Sequence, residues 1–165
     1  MDEQPARSEL ERALDLAYRA VGRRERTVAE LRTCLEGKRV GPEEIDAAVA
    51  ELRGAGLLDD ARFAQRFAED RRELARWGGE RIARELHRRG VVPDLIEAAI
   101  ADRGTEDELA TALLVLEERA PPHGDDRARD RAWRLLVRRG YTPEIAYDAV
   151  RAYERRCLAE GRRAA

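Results

Sequence analysis

Few side chains in this sequence have a type and spacing that could do covalent chemistry. The only histidines are His87, on the flank of a predicted helix, and His123, which follows a Pro-Pro pair in a loop. Cys34 and Cys157 lie far apart and form no metal-ligand spacing. With no export signal visible in the polar stretch from Met1 to Glu11, they are expected to be reduced and structural. No His-Glu-x-x-His motif, cysteine pair, glycine-rich phosphate loop or nucleophile elbow occurs. Asp59 and Asp60 could be imagined as metal ligands or as an acid/base pair. Neighbours in a helix do not share a face, however, and two acids just before an amphipathic run are ordinary N-terminal caps. Gly78-Gly79, after Trp77, could cradle an anion, but a helix start or a close packing point is the plainer reading. The expectation is a protein that is not an enzyme, with no catalytic residue, no metal and no cofactor.

What the sequence does supply is arginine. The 165 residues carry 32 basic against 34 acidic side chains, and Lys38 is the only lysine. Bulk charge therefore does not point to nucleic acid, but the charge is unevenly placed. Residues 104–126 hold seven acids and one arginine, and residues 127–139 six arginines and one aspartate. Residues 62–90 hold nine arginines and five acids. The bland reading is that such helices solvate themselves through i,i+4 pairs with nearby glutamates.

The elements that must carry these arginines are helices. Apolar residues recur at i, i+3, i+4 and i+7, as in Ile45, Ala48, Val49, Leu52 and in Leu109, Ala112, Leu113, Leu116. Alternating patterns and Asn-Gly or Asp-Gly turns are missing. Ser8-x-x-Glu11, Thr27-x-x-Glu30 and Thr105-x-x-Glu108 read as capping boxes. Pro42, Pro93 and Pro143 suit the first helical position, and Gly90 and Gly140 suit left-handed C-terminal caps. The longest apolar run, Ala112 to Leu116, is far short of the ~20 residues a membrane-spanning helix needs. No membrane association is expected.

The chain also repeats itself. Thr27–Leu52 aligns without gaps on Gly78–Arg103, and that segment on Ala128–Tyr153. Leu35, Leu86 and Leu136 coincide, as do Val49, Ile100 and Val150, and the three prolines. An amphipathic helix precedes each copy: Leu10–Val21, Ala61–Ala75 and Asp107–Arg119. The expected fold is all-α, nine helices in three tandem three-helix repeat modules forming an elongated, curved array. The modules are placed at 10–58, 59–104 and 105–153, between an N-terminal tail, 1–9, and a C-terminal tail, 154–165. Only Asp59 and Asp60 separate the first two, and Ala120–Asp126 is the one loop-like linker, inside the third. The six coincident positions Leu35, Val49, Leu86, Ile100, Leu136 and Val150 are expected to be buried.

Three strings in this order carry a resemblance. Gly56-Leu57-Leu58-Asp59-Asp60-Ala61-Arg62-Phe63-Ala64 resembles the signature between the first two modules of the RecX family, bacterial regulators of the recombinase RecA. Gly79-x-x-Arg81-Ile82-x-x-Glu85-Leu86-x-x-x-Gly90-Val91 is similar to the family's second-module pattern, and Trp133 to Tyr141 to its third. The first module matches more loosely. It has Arg39 where the others have Gly90 and Gly140, so its inter-helix turn is expected to differ. The resemblance implies a cytoplasmic, monomeric protein that binds RecA–DNA filaments. Such a protein would limit filament growth, strand exchange and the associated ATP hydrolysis, modulating DNA repair and the SOS response. It also implies a weak direct contact with DNA.

Helical geometry places the candidate contacts. With Ile82 and Leu86 on the buried side, Arg81, Arg84 and Arg88 cluster opposite. The repeat carries these three onto Arg131, Arg134 and Arg138, but onto Glu30, Thr33 and Gly37 in the first copy. The expected partner-binding residues are therefore Arg81, Arg84, Arg88, Arg131, Arg134 and Arg138. Arg89 and Arg139 are expected to serve helix C-terminal carbonyls, and Trp77, Trp133, Tyr141 and Tyr153 to pack rather than stack on bases. Two alternatives stand beside this reading. One is a helix-turn-helix DNA-binding module, opposed by the acids Glu43, Glu44 and Asp46 at the start of the would-be recognition helix. The other is a non-catalytic helical-repeat scaffold.

Overall fold

The computed structural model describes residues 8–101, 104–119 and 125–164, with side chains through residue 159. Nine helices and no strand are present among them. They are α1 Glu9–Arg23, α2 Val28–Glu36, α3 Pro42–Gly54, α4 Asp60–Ala75, α5 Gly79–Arg88, α6 Pro93–Ala101, α7 Thr105–Arg119, α8 Asp126–Arg139 and α9 Pro143–Ala164. The three prolines open α3, α6 and α9, where a missing N–H costs nothing. Residues 154–164, read from sequence as a tail, continue α9. Of the predicted linker, residues 120–124, with His123, lie outside the described residues. Asp125 caps α8 by accepting from the Ala128 N–H at 2.7 Å.

Two compact units emerge. The first comprises the chain through Ala64 together with Leu86–Leu95, and the second Gln65–Glu85 together with the chain from Ile96. In the first, α1 contributes only alanines to the fully buried core, Ala13, Ala17 and Ala20. They meet Leu31 and Leu35 of α2 and Ile45, Ala48, Val49 and Leu52 of α3. An i, i+4, i+7 alanine stripe lets helices approach closely, and the larger side chains opposite fill the space. In the second, Ala112, Val115 and Leu116 of α7 pack with Ala132 and Leu136 of α8 and with Tyr141, Ile145, Ala146, Ala149 and Val150. Of the six repeat-equivalent positions, Leu35, Val49, Leu86, Leu136 and Val150 are buried. Ile100 is only half-buried, because Ile96 and Ala99 form the inward stripe of α6.

The second unit also buries an arginine. Arg72 is 5% exposed, and its Nη1 and Nη2 donate to the carbonyl oxygens of Ala99 (3.3 Å) and Ile100 (2.7 Å). It thus satisfies the orphan carbonyls at the end of α6. Its position follows Ala64 and Ala68 at i+4 spacing, on the inward stripe of α4.

Helix starts follow the capping expectations in part. Ser8 and Glu11 form the full reciprocal box at 3.1 Å in each direction. Thr27 accepts from the Glu30 N–H at 3.1 Å, but the Glu30 carboxylate turns to Arg24 and Arg89. Thr105 is already inside α7, and the Glu108 carboxylate accepts from the Gly79 N–H of α5 at 2.8 Å. The two aspartates divide the same way. Asp59 caps α4 through the Arg62 N–H at 3.0 Å, whereas Asp60 accepts from the Val28 N–H of α2 at 2.9 Å. Val28 and Gly79 are equivalent in the repeat, so one device recurs: an acid in the first turn of one helix caps the first N–H of another.

Asp59→Ala should therefore cost ~0.5–2 kcal/mol. Asp60→Ala should cost ~1–3 kcal/mol by orphaning the Val28 amide. Asp60→Asn behaves differently. Burial pushes the Asp60 carboxyl above its ordinary 3.8, opposed by the Val28 hydrogen bond and by Arg53. The folded state thus takes up this proton more readily than the unfolded one. The resulting stabilisation is complete below the unfolded value and is lost as pH rises through the folded one. Urea unfolding from pH 3 to 7 should show Asp60→Asn gaining on the parent chain as pH rises.

Candidate partner-binding surface

The arginine-bearing helices are held at their ends. Within the first unit, the buried Thr27 donates its hydroxyl to the Arg89 carbonyl at the end of α5 (2.7 Å), and Ala29 lies against Gly90. Within the second, the Gly78 and Glu80 amides donate to the carbonyls of Arg139 (2.9 Å) and Gly140 (3.0 Å), and Arg81 lies against Gly140. Each junction sets a helix N-terminus on the C-terminal carbonyls of another helix, a favourable meeting of opposite dipole ends. Gly90 and Gly140 take the left-handed conformation expected of them, with φ of 78° and 90°. A Cβ at either would collide with the docked helix, at Ala29 or Arg81.

Arg39 corrects the expectation for the first copy. It adopts the same conformation, φ 58°, and the same hydrogen bond closes the turn. Val40 N–H donates to Leu35 O at 3.2 Å, as Val91 does to Leu86 (3.1 Å) and Tyr141 to Leu136 (3.2 Å). The turn is unchanged. Arg39 is exposed, and a side chain is sterically possible there. Arg39→Gly should raise thermal stability by ~1 kcal/mol, since only the left-handed strain is relieved.

Of the expected contact residues, those on α8 lie most openly. Arg131, Arg134 and Arg138 are exposed, while Ala132 and Leu136 are buried. Arg134 pairs with Asp130 at 2.8 Å, with both partners more than half exposed, an interaction worth little in water. On α5, Arg84 and Arg88 are exposed and Ile82 and Leu86 buried. Arg84 stands 3.7 Å from Glu80. Arg81 departs from the pattern. It is half-buried, and its guanidinium lies 4.0 Å from the centre of the Trp77 ring. Arg71 lies 5.2 Å from the same ring, and Phe67 meets it edge-on at 6.5 Å. Arg81 thus has a packing role on an aromatic ring, whereas its repeat-equivalent Arg131 is exposed.

The other three aromatic side chains expected to pack do so. Tyr141 is 1% exposed and donates its hydroxyl to the Arg76 carbonyl at 3.0 Å. Trp133 and Tyr153 are half-buried against the same core. The guanidinium of Arg139 donates to the Ala75 carbonyl at the end of α4 (2.7 Å), as expected of a residue serving a helix terminus. Burial and the neighbouring Arg119, Arg81 and Arg76 lower its pKa. Arg89 pairs with Glu30 at 3.6 Å and lies 5.5 Å from the Phe63 ring centre. No cluster of three or more histidine, cysteine or acidic side chains able to hold a metal occurs among the described residues. His87 is exposed, and Cys34 and Cys157 are free thiols. No helix among the described residues is long and apolar enough to cross a membrane.

Residues 13–52 match the family description "RecX, first three-helix domain", and residues 59–100 match "RecX, second three-helix domain". The chain is 38% identical over 154 residues to the regulatory protein RecX of Mycobacterium avium, covering 90% of this chain and 87% of that protein. It is 36% identical over 142 residues to that of Deinococcus radiodurans, covering 86% and 68%. The crystal structure of RecX from Lactobacillus salivarius superposes with a TM-score of 0.82 at 15% identity, over 88% of this chain and 97% of that one.

Proposed function

This chain belongs to the RecX family, and from that premise we propose that it binds RecA filaments on DNA in the cytoplasm and inhibits them as a non-catalytic monomer. It would act by occupancy, limiting filament extension, strand exchange and ATP hydrolysis, and so modulate DNA repair and the SOS response. The observation that carries this reading is the exposed arginine triplet on α8 with its repeat-equivalent on α5, each backed by buried apolar side chains on the same helix. Such stripes keep their charge in water yet hold it on rigid elements, a form suited to reading an extended acidic surface. The division into modules 10–58, 59–104 and 105–153 belongs to the same proposal.

The helix-turn-helix alternative is disfavoured by charge. The first turns of α3, α6 and α9 carry Glu43 and Glu44, Asp94, and Glu144, which phosphates would repel. Cosedimentation with RecA-coated DNA tests the proposal. The chain should pellet with the filament at physiological ionic strength and lower its ATP hydrolysis. Absence of pelleting under those conditions would refute it.

A further inference from the structure

Three helix ends in the second unit gather basic side chains around one small hollow. It has a volume of about 180 Å³ and is lined by Arg76, just past α4, by Arg119 at the end of α7 and by Arg139 at the end of α8, together with Glu73 and Glu118. Its charge is only partly matched. Glu118 pairs with Arg76, but among the described residues no carboxylate pairs with Arg119 or Arg139. Burial first, and then the nearby Arg119, Arg81 and Arg76, depress the Arg139 pKa. A partly buried cation crowded by like charges is unfavourable until an anion joins it.

Helix C-termini carry partial negative charge, which by itself opposes an anion. Here the end carbonyls are engaged. That of Ala75 accepts from Arg139 Nη1 (2.7 Å), that of Arg76 from the Tyr141 hydroxyl (3.0 Å) and that of Arg139 from the Gly78 amide (2.9 Å). Size and geometry then select the ligand. One water occupies about 30 Å³ of liquid, so the hollow takes a small ion with a few waters and is too small for a nucleotide or a length of polymer. Guanidinium forks match the oxygens of a tetrahedral oxyanion in direction as well as charge. We infer that Arg119 and Arg139 hold one free oxyanion of the phosphate class between the ends of α7 and α8. Glu118 limits the affinity by occupying Arg76. Neither arginine belongs to the exposed triplets, so this site stands apart from the filament reading.

Titration of inorganic phosphate with the full chain at constant ionic strength, followed by phosphorus NMR, tests the inference. The line should broaden saturably to one ion per chain, with a Kd of about 1–10 mM for two charge-assisted contacts. Arg119→Gln, a change at an exposed side chain, should weaken binding about tenfold. Glu118→Gln should tighten it severalfold by releasing Arg76, which a merely solvated arginine cluster would not do. Arg19→Gln, exposed on α1, should bind as the parent does. In thermal melts, which also establish that each variant folds, phosphate should raise the midpoint of the parent chain more than that of Arg119→Gln. Its general stabilising action as an excluded salt is the same for both. Three results would overturn the inference: no saturable binding up to about 50 mM phosphate, undiminished binding by folded Arg119→Gln, or equal competition by acetate, which would make the hollow a carboxylate site.

Discussion

Arg131→Glu, Arg134→Glu and Arg138→Glu together are expected to abolish association with RecA-coated DNA while leaving the fold intact. All three side chains are exposed, and the helix is anchored by Ala132 and Leu136 on its other side. Among the described residues the only internal partner disturbed is Asp130, whose ion pair with Arg134 is solvent-exposed. Each reversal replaces an attraction with a repulsion, and about 1 kcal/mol per position is a modest estimate for interfacial rim charges. Three such losses give roughly 100-fold or more in affinity. Charge itself must be separated from placement. Reversing Arg19, Arg23 and Arg155, exposed on α1 and α9, makes the same change in net charge and should have little effect. On α5 the informative variant reverses Arg84 and Arg88 only, because Arg81 also packs on Trp77. If the α8 triplet retains full cosedimentation and full inhibition, these arginines are a solvated face, and the contact surface lies elsewhere.

Gly140→Ala is expected to be a severely damaging single-methyl change, at about 2–4 kcal/mol. Left-handed backbone costs a non-glycine residue about 1–2 kcal/mol, and φ here is 90°. The larger part is steric. The new Cβ would meet Arg81 at its Cβ and at its backbone, which cannot swing aside as a side-chain tip can, and such overpacking costs ~1–3 kcal/mol. Gly56→Ala is the control, with φ 68° and nothing within 4 Å of the added methyl. It should lose only ~1 kcal/mol. Equal midpoints for the two variants in urea would mean that the junction relaxes freely and that Gly140 serves the turn alone.

Arg39 shows why the two contributions are separable. The same turn is made there by an exposed arginine. At Gly90 and Gly140 a neighbouring helix occupies the place a side chain would take, so glycine is required by contact as well as by φ.

Periodicity and local punctuation determined a great deal about this protein. Helix class and order, the prolines at helix starts, the left-handed glycines and the inward phase of most repeat positions depend on residues within a few positions of one another, which is the range over which a helix repeats its environment. The exposed arginine triplet of α8 was legible for the same reason. Contacts across larger separations were decided only by tertiary structure. Asp60 and Glu108 looked like members of local caps, yet each carboxylate reaches an amide about thirty positions away in sequence. Arg72 occupies an inward position that binary patterning reserves for apolar groups, and an arginine there becomes intelligible only once the α6 carbonyls are beside it. Helical phase sets Arg81 opposite Ile82 and Leu86, but it cannot show that Trp77 lies under it. The hollow beside Arg139 joins the ends of α4, α7 and α8, where residues more than sixty positions apart become neighbours because buried polar groups must find partners wherever the packed chain supplies them.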